Sequence, residues 1–232
     1  MEDVTWLFDL DNTLHDTSYA IFAALDRAMT QTIQALLQCD YAHADNLRLN
    51  YWKRYGATVI GLVKHHNINA HEFLHASHQL NLKPLLRAEK GLPQKLAQLP
   101  GTKMLLTNAP RQYAIQILTH LRLDTQFSQL WTMEDMQLLG SWRPKPSRRL
   151  LQQILARWRL SPARTIFVED TLRNLKPAHS LGIKTVHHYH PTTPFSAAYA
   201  GKPDYVDIKV TSVGELLKRP ELWRILRNSD RA

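Results

Sequence analysis

Alternating strand and helix patterns, with a purely helical block near the front, predict an α/β protein. Its expected form is a parallel sheet flanked by helices, carrying an inserted all-helical domain. Three observations lead there. The apolar run Val4-Thr5-Trp6-Leu7-Phe8 stops at the acidic Asp9-Leu10-Asp11. From Thr17 to about Pro84 the apolar spacing is helical and no convincing strand is present. From Gly91 onward, strand-length apolar runs alternate with helical segments.

The elements follow in order. Ile21, Leu25, Ala28, Met29, Ile33 and Leu36 predict a helix within Thr17 to Gln38. Asp45 is read as the cap of a second helix running to about Tyr55, with Gly56 breaking it. A third helix runs from Thr58 to His66, and Asn69 caps a fourth that carries Phe73, Leu74 and Leu80. Leu82-Lys83-Pro84 ends this array. The expected division is therefore a core of residues 1–16 and 85–232 and an insertion of residues 17–84.

In the second part, a short helix over Leu92 to Leu99 and the turn Pro100-Gly101 lead into a strand at Lys103 to Thr107. A helix follows from Arg111 to Leu121, a strand from Gln129 to Met133 and a helix from Ser147 to Trp158. Arg164 to Val168 is a strand, Asn174 to Leu181 a helix stopped by Gly182, and Ile183 to His187 a strand. Tyr205 to Ile208 is read as a short edge strand, with a helix beginning near Ser212. The tail from Leu216 to Arg231 reads as an amphipathic helix with a solvated basic face.

Composition narrows the classes. The 232 residues are enough for one substantial core, or a core with a small second domain. The single cysteine, Cys39, forbids an internal disulfide and suits a reducing compartment, so a cytoplasmic location is expected. No apolar stretch has the length of a membrane helix, and Glu2 and Asp3 do not resemble the start of a signal peptide. The net charge of +9 permits nucleic-acid binding, but the basic residues are scattered. A positive field also suits capture of small phosphorylated anions.

Chemistry concentrates where strands end. Asp9 and Asp11 on a continuing strand would share a face and repel. If the strand ends at Asp9, the turn can bring both to one point, where a divalent cation would relieve the repulsion. One carboxylate could then bind metal and attack while the other handles a proton. Thr107 and Asn108 end the second core strand. Their hydroxyl and the N–H groups opening the next helix could hold phosphate oxygens, although an ordinary helix cap explains them as well. Lys145, between Pro144 and Pro146, could be aimed at one place by its fixed backbone, or could be a solvated loop lysine. Glu169 and Asp170 after the strand at 164–168 offer hard oxygen ligands, with Asn174 behind them. The alternative there is an acidic helix-capping turn.

In this order, these pieces resemble the four motifs of the haloacid dehalogenase (HAD) superfamily. Asp9-Leu10-Asp11-Asn12-Thr13-Leu14, Thr107-Asn108-Ala109 and Glu169-Asp170-Thr171-Leu172-Arg173-Asn174 are similar to its pyrimidine 5′-nucleotidase branch. So is the insertion, where LRLNYWKRYGATVIGL at 47–62 resembles that branch's cap helices. The resemblance implies a Rossmann-like core with a small helical cap and a Mg²⁺-dependent phosphatase. It implies Asp9 as nucleophile, Asp11 as general acid and base, and Thr107, Asn108 and Lys145 as phosphate binders. Asp9, Asp170 and the nearby Glu169 would face the metal, and Asp11 would meet it through its backbone carbonyl. The implied substrate is a nucleoside 5′-monophosphate. A sugar-phosphate or phosphoglycolate phosphatase, or a phosphomutase, would use the same core. A nucleic-acid-binding protein on this scaffold is the rival from another class. A 2-haloacid dehalogenase would not need Asp11. Two departures stand out: His15-Asp16 where an aromatic is common, and Thr171 where serine is usual.

Two histidine-rich stretches compete for a function. His71-Glu72-Phe73-Leu74-His75 matches the HExxH zinc pattern, but a third ligand is not evident and a polar helix face explains it better. His187-His188-Tyr189-His190 reads as a strand end running into a loop rather than a metal site.

Overall fold

The computed structural model describes residues 4–138, 140–190 and 201–229; Glu2, Asp3 and Arg231 lie outside them. Six strands form one parallel sheet: β1 (Thr5–Phe8), β2 (Thr102–Leu106), β3 (Gln129–Trp131), β6 (Thr165–Glu169), β7 (Lys184–His188) and β8 (Ile208–Val210). Their spatial order is β3-β2-β1-β6-β7-β8, which puts β1 at the centre. Crossover helices cover both faces, so β1 is buried at every position rather than alternating. Trp6 and Phe8 pack on one face with Leu105, Ile166 and Val168; Leu7 packs on the other with Met104, Leu106 and Phe167. This is the expected fold: a Rossmann-like parallel sheet with flanking helices and an all-helical insertion after its first strand.

That insertion comprises α1 (Ile21–Leu37), α2 (Tyr41–Tyr55), α3 (Thr58–His66) and α4 (Ala70–Ser77). Gly56 closes α2 in a left-handed conformation, φ 81°, as its position in the sequence suggests. Gly61 serves closeness instead: a Cβ there would lie 2.0 Å from Tyr51 Cγ, so α2 and α3 meet across a hydrogen atom. Asn69 caps α4 by accepting from the N–H groups of His71 and Glu72.

The core helices are α5 (Leu92–Ala97), α6 (Arg111–His120), α7 (Arg148–Arg157), α8 (Leu172–His179), α9 (Val213–Lys218) and α10 (Pro220–Ser229). Four expectations need correction. The cap of α2 is Asp40, which accepts from His43 N–H at 2.8 Å; Asp45 lies inside the helix and pairs with Arg48. The third sheet strand stops at Trp131, because Thr132 and Asp135 cap each other across a short 3₁₀ turn, Met133–Asp135. The edge strand is Ile208–Val210; Tyr205 and Asp207 are held instead by Thr185, which bonds the Tyr205 carbonyl and the Asp207 carboxylate. The tail is two helices, broken at Arg219, with Leu222 and Leu226 buried and Arg224 and Arg227 facing solvent. A small hairpin, β4 (Gln137–Leu138) with β5 (Ser141–Trp142), was not foreseen; it delivers the chain to Lys145.

Candidate active site

Parallel strands end on one side of a sheet, and the register sets which ends are level. Phe8 is level with Leu105 and Val168, so Asp9 emerges beside Leu106 and Glu169. The Asp9 N–H still donates to the Val168 carbonyl at 3.0 Å, after which the backbone turns. Asn12 makes that turn with φ 59°, a conformation asparagine tolerates. Its side-chain oxygen then accepts from the N–H groups of Thr17 and Ser18, tying the turn to the start of the insertion.

Lys145 reaches this point from its loop. Its Nζ donates to Asp9 Oδ1 at 2.5 Å and to Glu169 Oε2 at 2.7 Å, and all three side chains are buried. Asn108 fixes the loop: its amide donates to the Lys145 carbonyl at 3.2 Å and its oxygen accepts from the Lys145 N–H at 2.9 Å. With its side chain so engaged, Asn108 has its backbone N–H to offer an anion. Thr107 is buried, and its hydroxyl accepts from the Ala109 N–H at 3.0 Å. Glu169 Oε1 accepts from the Thr171 N–H, and the Thr171 hydroxyl donates to Asp170 Oδ1 at 3.1 Å. His187, on the next strand, bonds the Asp170 carbonyl through Nε2 at 2.9 Å.

Charge in this cluster is unbalanced. One ligand oxygen from each of Asp9, Glu169 and Asp170 lies within 4.8 Å of the others, and Lys145 is the cation among them. Burial and the neighbouring Glu169, only partly offset by Lys145, push Asp9 up to about 7. Burial, then Glu169 and Asp9, pushes Asp170 well above the usual carboxylate range. Burial works against the Lys145 charge, but Asp9 and Glu169 outweigh it and hold the ammonium firmly protonated. A set of hard, crowded oxygens with surplus negative charge fits a divalent cation of the Mg²⁺ type. Asn174 adds to that fit, since its buried Oδ1 has no hydrogen-bond partner.

Asp11 sits in a different environment. Its Oδ1 accepts from Tyr113 Oη at 2.9 Å, His15 Nε2 at 3.0 Å and Thr17 Oγ1 at 3.3 Å. Burial would raise its pKa, but the bonds from His15 and Tyr113 prevail and hold it below the ordinary value. Two aspartates two residues apart are thus pushed in opposite directions.

In the sequence His15 stands out only as a departure from a motif, and Tyr113 does not stand out. The spacing of four between Asp11 and His15 was the available signal for the first. Nothing local marks Tyr113, which arrives from α6. Among the described residues the HExxH histidines join no cluster of three potential ligands; His75 is exposed and bonds Gln79. His187 and His188 are buried backbone anchors, the second reaching the Asn12 carbonyl at 3.1 Å.

A central-strand aspartate thus faces a loop lysine and the acid pair at the end of the neighbouring strand β6, and the sequence places this site in a class of hydrolases. Residues 6–188 match the haloacid dehalogenase-like hydrolase family, and the chain belongs to it. Phosphate metabolism protein 8 of Saccharomyces cerevisiae is 25% identical over 196 residues, 79% of this chain and 60% of that protein. The chain thus spans less than two thirds of that relative's length. Among solved structures, CbbY from Rhodobacter sphaeroides, in complex with phosphate, is similar with TM-score 0.66 and 17% identity. The likeness covers 93% of this chain and 96% of that one. A HAD phosphatase from Thermococcus onnurineus is similar with TM-score 0.63 and 17% identity, over 94% and 97% of the two chains. Among the described residues, no helix is long and apolar enough to cross a membrane.

Proposed function

We propose that the chain is a Mg²⁺-dependent phosphomonoesterase acting through an aspartyl phosphate on Asp9, with nucleoside 5′-monophosphates as substrates. The observation that carries the reading is the contrast at the strand ends: Asp9 bonded to Lys145 inside the acidic cluster, and Asp11 outside that cluster, bonded through Oδ1 to Tyr113, His15 and Thr17. In the first step an Asp9 oxygen bonds to phosphorus, the ester P–O bond breaks and Asp11, in the minor fraction that carries a proton, gives that proton to the leaving alkoxide. In the second, water gives a proton to Asp11 and its oxygen attacks phosphorus, releasing phosphate and the Asp9 carboxylate. Lys145 neutralises charge on Asp9 and on the arriving phosphate, while the Thr107 hydroxyl and the Asn108 N–H hold its oxygens. Asp9 and Asp170, with Glu169 beside them and Asn174 behind, would hold the Mg²⁺. When bound, it would keep Asp9 ionised and neutralise developing phosphate charge.

The nucleotide preference rests on the resemblance of the first, second and fourth motifs and of the 47–62 segment to the pyrimidine 5′-nucleotidase branch. The helical insertion, residues 17–84, is the proposed cap. A Cβ at Gly56 would lie 3.4 Å from the Lys145 carbonyl, and Arg173 sits 5.9 Å from the Trp52 ring centroid; the nearness of the end of α2 to the Lys145 loop and α8 supports the cap reading. Discrimination among leaving groups would fall to this segment.

The test is phosphate release from nucleoside monophosphates, sugar phosphates, phosphoglycolate and p-nitrophenyl phosphate, with Mg²⁺ and with EDTA. Hydrolysis that needs Mg²⁺ and ranks pyrimidine nucleotides first supports the reading. A higher rank for a sugar phosphate or phosphoglycolate would replace the substrate. Full activity in metal-free buffer would overturn the mechanism.

A further inference from the structure

We propose that His15 and Tyr113 are positioning residues that aim Asp11, reserving one of its oxygens, Oδ2, for proton transfer. The inference rests on the phosphatase reading above. It starts from the crowding of a single atom. Asp11 Oδ1 accepts from Tyr113 Oη at 2.9 Å, His15 Nε2 at 3.0 Å and Thr17 Oγ1 at 3.3 Å. Three donors saturate the lone pairs of one carboxylate oxygen and fix the plane of the group. Among the described residues no donor reaches Oδ2.

The three donors differ in how they are supported. Thr17 Oγ1 also accepts from the Asn12 N–H, so its hydroxyl proton is left for Asp11. His15 is buried with Nδ1 unpartnered, so its one hydrogen bond is the one to Asp11, and Nε2 carries the proton. Tyr113 is also buried, and among the described residues no acceptor other than Asp11 Oδ1 takes its hydroxyl. Its ring is braced edge-on by His78, the residue that follows α4 as its C-cap, with centroids 5.6 Å apart. Two buried polar side chains whose single polar contact is the same oxygen are poor fold stabilisers and good orienters.

The test measures kcat/KM, which reports the first chemical step, for phosphomonoesters of graded leaving-group basicity. The series runs from p-nitrophenyl phosphate through phenyl phosphate to a nucleoside 5′-monophosphate, all with Mg²⁺ present. Losing the aim of a proton donor should hurt most where the leaving group most needs the proton. Tyr113→Phe and His15→Leu are expected to lose roughly tenfold or more on the nucleotide and only about a few-fold on p-nitrophenyl phosphate. His15→Gln keeps an N–H and should recover part of the loss. In an Asp11→Asn background, Tyr113→Phe should add little, because it acts through the group already removed. Tyr113→Phe differs by one atom, so it keeps the test alive if His15→Leu folds poorly. Equal losses across the series, or full additivity with Asp11→Asn, would overturn the inference. A wild-type chain inactive on every ester would instead refute the phosphatase reading, and that control separates the two failures.

Discussion

Asp9→Asn gives the sharpest test of the unbalanced charge. The substitution keeps the volume and leaves an acceptor for Lys145 Nζ, while removing one buried carboxylate from a cluster of three. In the folded chain Asp9 is raised from 3.8 to about 7. Between those values the native state binds more protons than the unfolded one, so this group's contribution to stability falls as pH rises and is lost once pH passes the folded value. From pH 5 to pH 8 the loss amounts to roughly two pKa units, or about 3 kcal/mol. His78 and His188, buried and pushed down to about 4, act in the opposite sense below their ordinary value, but both chains carry them and they cancel in the difference. Urea unfolding of the two metal-free chains at half-unit pH steps gives that difference directly. Asp9→Asn should gain on wild type by about 3 kcal/mol between pH 5 and pH 8. Mg²⁺ should favour wild type again, by about 2.7 kcal/mol at a hundred times its Kd. A flat difference curve from pH 5 to 8 would refute the argument that Asp9 ionises there at a cost.

Three further outcomes are expected. Asp11→Asn should lower turnover of a nucleotide by about 10²–10⁴-fold, yet with p-nitrophenyl phosphate it should accumulate aspartyl phosphate as a burst; rapid quench with mass spectrometry reads this, and a burst from Asp9→Asn would reverse the roles. Gly61→Ala should destabilise the chain by about 1–3 kcal/mol, because the new methyl meets Tyr51 at its ring root rather than at a flexible end; an unchanged urea midpoint would contradict the α2–α3 contact. Trp52→Ala should change the ranking of nucleotides more than the rate on p-nitrophenyl phosphate, and equal losses on both would leave this part of α2 a purely structural role.

What the sequence made legible was whatever is written locally. Thr58–His66 and the Asn69 cap follow from spacing and capping chemistry within a few residues, and the structure has them at those positions. The edge strand went wrong because Tyr205 and Val206 look as strand-like as Ile208, and the choice is made by Thr185, some twenty residues away. The α2 cap went wrong for a similar reason. Either aspartate could cap a helix here, and Asp45 is drawn into the interior by Arg48 and by Thr30 on α1. Among the site residues, Asp9, Lys145, Glu169 and Asp170 do converge, because each lies beside a turn that the chain marks with its own punctuation.

The division of labour between the two aspartates was harder to derive, since Asp9 and Asp11 are the same residue in the same turn. Only their partners distinguish them. Asp9 is pressed against Glu169 and Asp170, with one lysine to offset them, and its charged form is costly. Asp11 is met by Tyr113, 102 residues away in the chain, and by His15 and Thr17, and its charged form is favoured. In the proposed mechanism the nucleophile needs a cation to stay ionised, which would tie Asp9 to a metal. A proton carrier needs fixed direction more than a cation, and its three donors supply that. The chemistry of the motif therefore lies as much in α6 and in the entry to the insertion as in the Asp-Leu-Asp string.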